Sequence, residues 1–163
     1  MKGIVMNRRA FLAASAALVV AGAGYYFFGA GSTVNAGEIF TGKTPGVAIN
    51  GYDVVAYHTQ EKPVEGSKDH CYSWSGVDWH FSSAENRSLF AGNPQKYAPQ
   101  YNGFCAFAVA HGQTAKTEPD SFSIVNGKLY LNYDQNIKKR WEGDKDNFIV
   151  AADKNWPELN KTN

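Results

Sequence analysis

The sequence predicts an α+β fold: a small antiparallel sheet of short hairpins with several helices packed on it. Three observations predict it. "HCYSWSGVDWHF" and "SFSIVNGKLYLNYD" each place two short aromatic or β-branched runs around a Gly-containing dipeptide, the pattern of a β-hairpin. Ser or Asp precedes stretches with apolar residues at helical spacing. With 163 residues, 14% of them aromatic, the chain has the length and material for one packed domain.

Taken in order, residues 1–36 read as a leader. Arg8-Arg9 precedes Phe11-Leu12 and an uncharged, Ala/Gly-rich run to Ala30. This resembles a twin-arginine export signal, with Val34-Asn35-Ala36 as a small-x-Ala cleavage site. The alternative is a retained anchor, since Ala10 to Ala30 is 21 residues, enough to span a bilayer. Both readings put the globular part outside the cytoplasm, periplasmic or held at the inner membrane. The membrane enters only through this segment. Residues 37–46 read as a linker, 47–159 as the domain and 160–163 as a tail.

Within the domain, Asn50-Gly51 marks a turn before an apolar run, and "QEKPVEGSKD" a polar loop. His70–Trp74 and Val77–Phe81 flank Ser75-Gly76 as two strands. Ser82-x-x-Glu85 fits a capping box, so a helix starts at Ser82 or Ser83. Leu89 and Phe90 give that helix its buried edge, and Gly92 with Pro94 ends it. "PQKYAPQY" is a turn or short helix. "NGFCAFAVAHG" reads as a small apolar helix stopped by Gly112. Asn126-Gly127 suits the turn of the second hairpin. Asp134 caps a helix through Trp141. Asp144 caps the last one, with Phe148, Ile149 and Ala152 on one face. Tyr97, Tyr101, Phe104 and Phe107 read as core. No repeat or low-complexity tract stands out.

Charge is close to balance at +1, with 19% charged residues, which argues against nucleic acid as a partner. Removing residues 1–36 takes away Lys2, Arg8 and Arg9 and no acid, turning +1 into −2. No Gly-x-Ser-x-Gly elbow, His-Glu-x-x-His or phosphate loop is present, so catalysis has thin support.

"NGYDVVAY", "WHFSSAENRSLFAGNPQKYAPQYNGFCAFAV", "IVNGKLYLNY" and "ADKNWPEL" together resemble exported bacterial proteins that carry a YHS domain. The resemblance covers Val47 to Leu159. It implies a small binding or accessory protein, with metal binding through cysteines, copper first. The family's cysteines match Ala56, Ser82 and Asn86 of this chain, so its expected ligands are absent. Any copper or zinc has to be held otherwise.

The soft donors are Cys71, Cys105, His58, His70, His80 and His111. A two-residue turn at Ser75-Gly76 pairs Cys71 with His80. It puts Tyr72, Trp74, Val77, Trp79 and Phe81 on one face, and Cys71, Ser73, Asp78 and His80 on the other. Directly opposed Cβ atoms stand about 5 Å apart, close enough for a thiolate and an imidazole to share copper or zinc. The plain alternative is a solvent-facing hairpin surface. A third ligand would have to come from His58, Cys105 or His111. On a helix, Cys105 and His111 lie roughly 120° apart, a poor chelate. Cys105 then reads as a buried inert thiol, and His111 as an imidazole at a helix C-terminus. A Cys71–Cys105 disulfide is the other option in an oxidising compartment. Three expectations follow. They are a YHS-type binding or accessory protein with a metal ion, a metal-free structural or interaction module with a protein partner, and a thiol enzyme using Cys71 or Cys105.

Overall fold

A computed structural model describes residues 17–21, 24–28 and 38–161. The chain divides into two units, Met1–Ser32 and Thr33–Asn163. The leader reading, with its Arg pair and cleavage site, lies outside the described residues except for a backbone hairpin of Ala17–Ala21 (β1) and Gly24–Phe28 (β2). Among the described residues no helix is long and apolar enough to cross a membrane.

The second unit is α+β, as its sequence predicts. A tight corner at Ala48–Gly51 leads to a six-residue helix, Val54–Thr59 (α1). A hairpin of Ser67–Trp74 (β3) and Val77–Phe81 (β4) follows, then helices Ala84–Gly92 (α2) and Pro94–Tyr97 (α3). A second corner, Gln100–Gly103, leads to a five-residue helix, Ala106–Ala110 (α4). The hairpin of Phe122–Val125 (β5) and Lys128–Leu131 (β6) precedes Gln135–Gly143 (α5) and Lys145–Leu159 (α6).

Both hairpins close through left-handed pairs, Ser75-Gly76 and Asn126-Gly127, the geometry that matches strand twist. The β3–β4 register is the one the turn dictates: Cys71 opposite His80, Tyr72 opposite Trp79, Ser73 opposite Asp78. The ladder is interrupted between Ser67 and Cys71, so β3 starts earlier than its aromatic run. Gly66 allows this. A Cβ there would collide with the backbone carbonyl of His80.

The core gathers around Phe90, whose ring meets Tyr72, Trp74, Trp79 and Phe81. Burying such a ring contributes about 1.5–3 kcal/mol. Tyr97, Tyr101, Phe104 and Phe107 are buried, in line with the sequence.

Four local expectations need correction. The stretch 37–46 is no loose linker at Ile39 and Phe40, which are both buried. The Phe40 N–H donates to the Asn102 carbonyl, and the Phe40 carbonyl accepts from Ile49 N–H, tying both corners together. Leu89 is 46% exposed; it sits one residue, about 100° of helix turn, from Phe90, and only one of the two faces the core. The helix expected over "NGFCAFAVAHG" shrinks to α4, because Tyr101, Asn102 and Gly103 turn left-handed and Phe104 is extended. The α2 cap is Ser83, not Ser82: Ser83 Oγ accepts from Asn86 N–H at 3.1 Å.

Candidate functional site

The outer face of the first hairpin carries Cys71, Ser73, Asp78 and His80. Cys71 and His80 are half-buried, and Ser73 and Asp78 exposed. Ser73 Oγ donates to Asp78 Oδ1. The Cys71 thiol is pushed above its ordinary range, first by burial, then by the Asp78 charge and its hydrogen bond, with Arg87 pulling the other way. His80 rests beside Gly51, and Asp78 N–H donates to the Gly46 carbonyl. The structure therefore brings Cys71 and His80 together.

It does not add a third ligand. Among the described residues, no group of three or more His, Cys, Asp or Glu side chains is placed to hold a metal ion. His58 ends α1 and meets Tyr97 edge-on, with ring centroids 5.5 Å apart. Its Nε2 is buried without a hydrogen-bond partner. Burial lowers its pKa, with the Lys96 charge adding to that and the Tyr97 carbonyl opposing it. His111 packs on Phe107 and Phe148, and its Nδ1 lies 2.7 Å from the Phe107 carbonyl oxygen. It closes α4 as the sequence reading expects.

Cys105 is fully buried and precedes α4. Its thiol donates to Asn132 Oδ1 at 3.7 Å, and the same oxygen accepts from Phe107 N–H at 3.2 Å. Burial outweighs the favourable influence of the nearby Ala108, Tyr133 and Phe107 backbone and pushes the thiol up to about 11. Both cysteines are free, so the disulfide option is corrected: Cys71 lies on the hairpin's outer face and Cys105 in the core.

The densest polar cluster is elsewhere, at Asp53, which the site reading of the sequence passes over. This carboxylate is fully buried at the start of α1. Oδ1 accepts from Val55 N–H and Ala56 N–H at 2.9 and 3.2 Å. Oδ2 accepts from Ser82 N–H at 2.8 Å, Ser82 Oγ at 2.6 Å and Asn86 Nδ2 at 2.7 Å. Five donors from α1, the β4 exit and α2 thus converge on one carboxylate, which is how a charge survives burial without a cation. An Asp directly before an apolar run was the available signal.

Ala56, Ser82 and Asn86, the positions matching the YHS cysteines, all meet at this carboxylate. The donor set does not fit a soft metal. Ala56 offers a methyl, Asn86 an amide N–H, and Ser82 a hydroxyl whose proton is committed to Asp53. No family model, curated protein or solved structure matches this chain.

Proposed function

We propose that this chain is a small exported accessory module of the YHS type that works through its surface rather than a metal centre. One observation carries this reading. The positions where the resembling family places thiols converge here on Asp53, and their donors are consumed by it. The resulting knot joins α1, β4 and α2 into a rigid support for the first hairpin, whose outer face meets solvent.

The thiol-enzyme reading has less support. Burial raises the pKa of both thiols, the opposite of nucleophile activation. A second reading rests on the Cys71–His80 pairing, a two-donor soft contact for copper or zinc. Metal analysis of protein exported through its own leader, followed by Cu(I) titration, separates the two. The accessory reading expects metal-free protein, with Cu(I) bound weakly and only through Cys71 and His80. Near-stoichiometric copper or zinc that disappears in Cys71→Ala and His80→Ala would overturn it in favour of the second.

A further inference from the structure

We propose that residues 48–148 are two copies of one unit of about 50 residues, and that Cys105 holds the place in the second copy that Asp53 holds in the first. The correspondence runs through every level. Ile49-Asn50-Gly51 and Tyr101-Asn102-Gly103 are the only runs of three consecutive left-handed residues among the described residues. Each is followed by an extended aromatic residue, Tyr52 or Phe104, then by the residue preceding a short helix. Ile49 and Tyr101 adopt a conformation that bulky side chains avoid, so its recurrence at one register is not a default of the chain.

The numbering offset is 52 through the corner and the start of the short helix, and 51 from the carbonyl that the residue before that helix bonds. Asp53 N–H donates to the Val64 carbonyl, and Cys105 N–H to the Ala115 carbonyl. Asp53 Oδ1 accepts from Val55 and Ala56 N–H; at the matching corner Phe107 N–H, the counterpart of Val55 N–H, donates to Asn132 Oδ1, to which the Cys105 thiol also donates. Ser75-Gly76 matches Asn126-Gly127. Caps Ser83 and Asp134 accept from Asn86 and Ile137 N–H, and each opens a nine-residue helix ending in glycine. Trp79 stacks on Phe90 at 4.9 Å, and Tyr130 on Trp141 at 5.2 Å.

The chemistry of the two residues follows from what surrounds them. In the first copy Ser82 Oγ and Asn86 Nδ2 add two side-chain donors and support a carboxylate. Their counterparts are Tyr133 and Ile137, of which Ile137 has no polar atom to offer. Without those side-chain donors the second copy holds a neutral thiol, which donates to Asn132 Oδ1 at the exit of β6. Cys105 is therefore a positioning residue that ties α4 to the exit of β6. The copies diverge most on one surface. Cys71, Ser73, Asp78 and His80 correspond to Phe122, Ile124, Leu129 and Leu131, and the last two are fully buried. The polar hairpin face is the part of the shared plan that only the first copy leaves open.

Amide exchange of the intact protein tests the matching bonds directly. Cys105 and Phe107 amides should be protected alongside Asp53 and Val55; exchange at the rate of open amides would overturn the assignment. Cys105→Ser should keep that protection, and Cys105→Val should lower it at least tenfold. A Cys105→Val protein with unchanged protection and an equal or higher urea midpoint would mean that the thiol only fills space. Ile137→Asn, restoring the counterpart of Asn86, should lower the midpoint of the natural chain but raise that of Cys105→Asp. A fall in both backgrounds would reject the equivalence of the two copies.

Discussion

Ser82 Oγ donates to Asp53 Oδ2 across 2.6 Å, while its neighbour Ser83 turns away to cap α2. Adjacent serines thus do unlike work, and their substitutions should separate. Ser82→Ala removes a hydrogen bond to a buried charge and should cost about 2 kcal/mol. Ser83→Ala removes a helix cap and should cost about 1 kcal/mol. Urea denaturation of the two variants reads the order; a larger loss for Ser83→Ala would contradict the assignment.

Asp53→Ala should be worse than either. It strands donors from three elements in a site closed to water, and each unmet buried donor costs about 1–3 kcal/mol. We expect a loss of about 3 kcal/mol or more, measured as a shift in denaturation midpoint at constant slope. Adding Ser82→Ala to it should cost little more, since the hydroxyl has then already lost its acceptor.

Stability should fall in mild acid through His58. Its folded pKa lies below the ordinary 6.5, so the folded state holds the ring neutral. The contribution is complete above pH 6.5 and is lost as pH falls from there toward the depressed folded value. Thermal melts across that window should show a slope that His58→Phe flattens. An unchanged slope would point to another group.

Gly66→Ala should disturb the first hairpin alone. Its new methyl meets the His80 backbone, which is fixed in the β3–β4 ladder and cannot yield as a side-chain tip would. A loss of about 1–3 kcal/mol is expected, with chemical-shift changes centred on Cys71 and His80. Shifts spread evenly over both hairpins would count against this local account.

The thiols should respond differently to alkylation. Cys71, half-buried beside Asp78, should react slowly at neutral pH and faster as pH rises through its elevated pKa. Cys105 should react only after unfolding. Native-state labelling read by mass spectrometry distinguishes the two. Labelling of Cys105 at the rate of a free thiol would show that its helix opens readily.

The hairpins were legible because a two-residue turn fixes register with local information alone. Once Ser75-Gly76 is the turn, Cys71 must face His80. The α2 cap was not legible in this way. Two serines offered the same hydroxyl, and the choice was made by Asp53, 29 positions earlier in the chain. The α4 boundary was hidden for a related reason: Asn102-Gly103 builds a left-handed corner, although its neighbours have helical composition. The duplicated plan escaped notice because its equivalent positions share geometry rather than chemistry. Asp stands for Cys, Trp for Tyr and Asn for Ile, so only bonds and dihedral angles make the match visible. The polar knot at Asp53 was half legible. Its cap signal was local, but its partners Ser82 and Asn86 arrive only with the folded chain.

Phe40 gives the protein a defined load path. Its N–H and C=O engage the two corners in opposite senses, one through Asn102 and the other through Ile49. A pull applied from the N-terminal side enters the domain at this residue, before it reaches any helix or strand of the second unit. The first bonds to bear it are the pair that holds the corners together. Tension at that end therefore tests the seam between the two corners and not the hairpin face. Tension and the open hairpin face are thereby kept on separate parts of the domain.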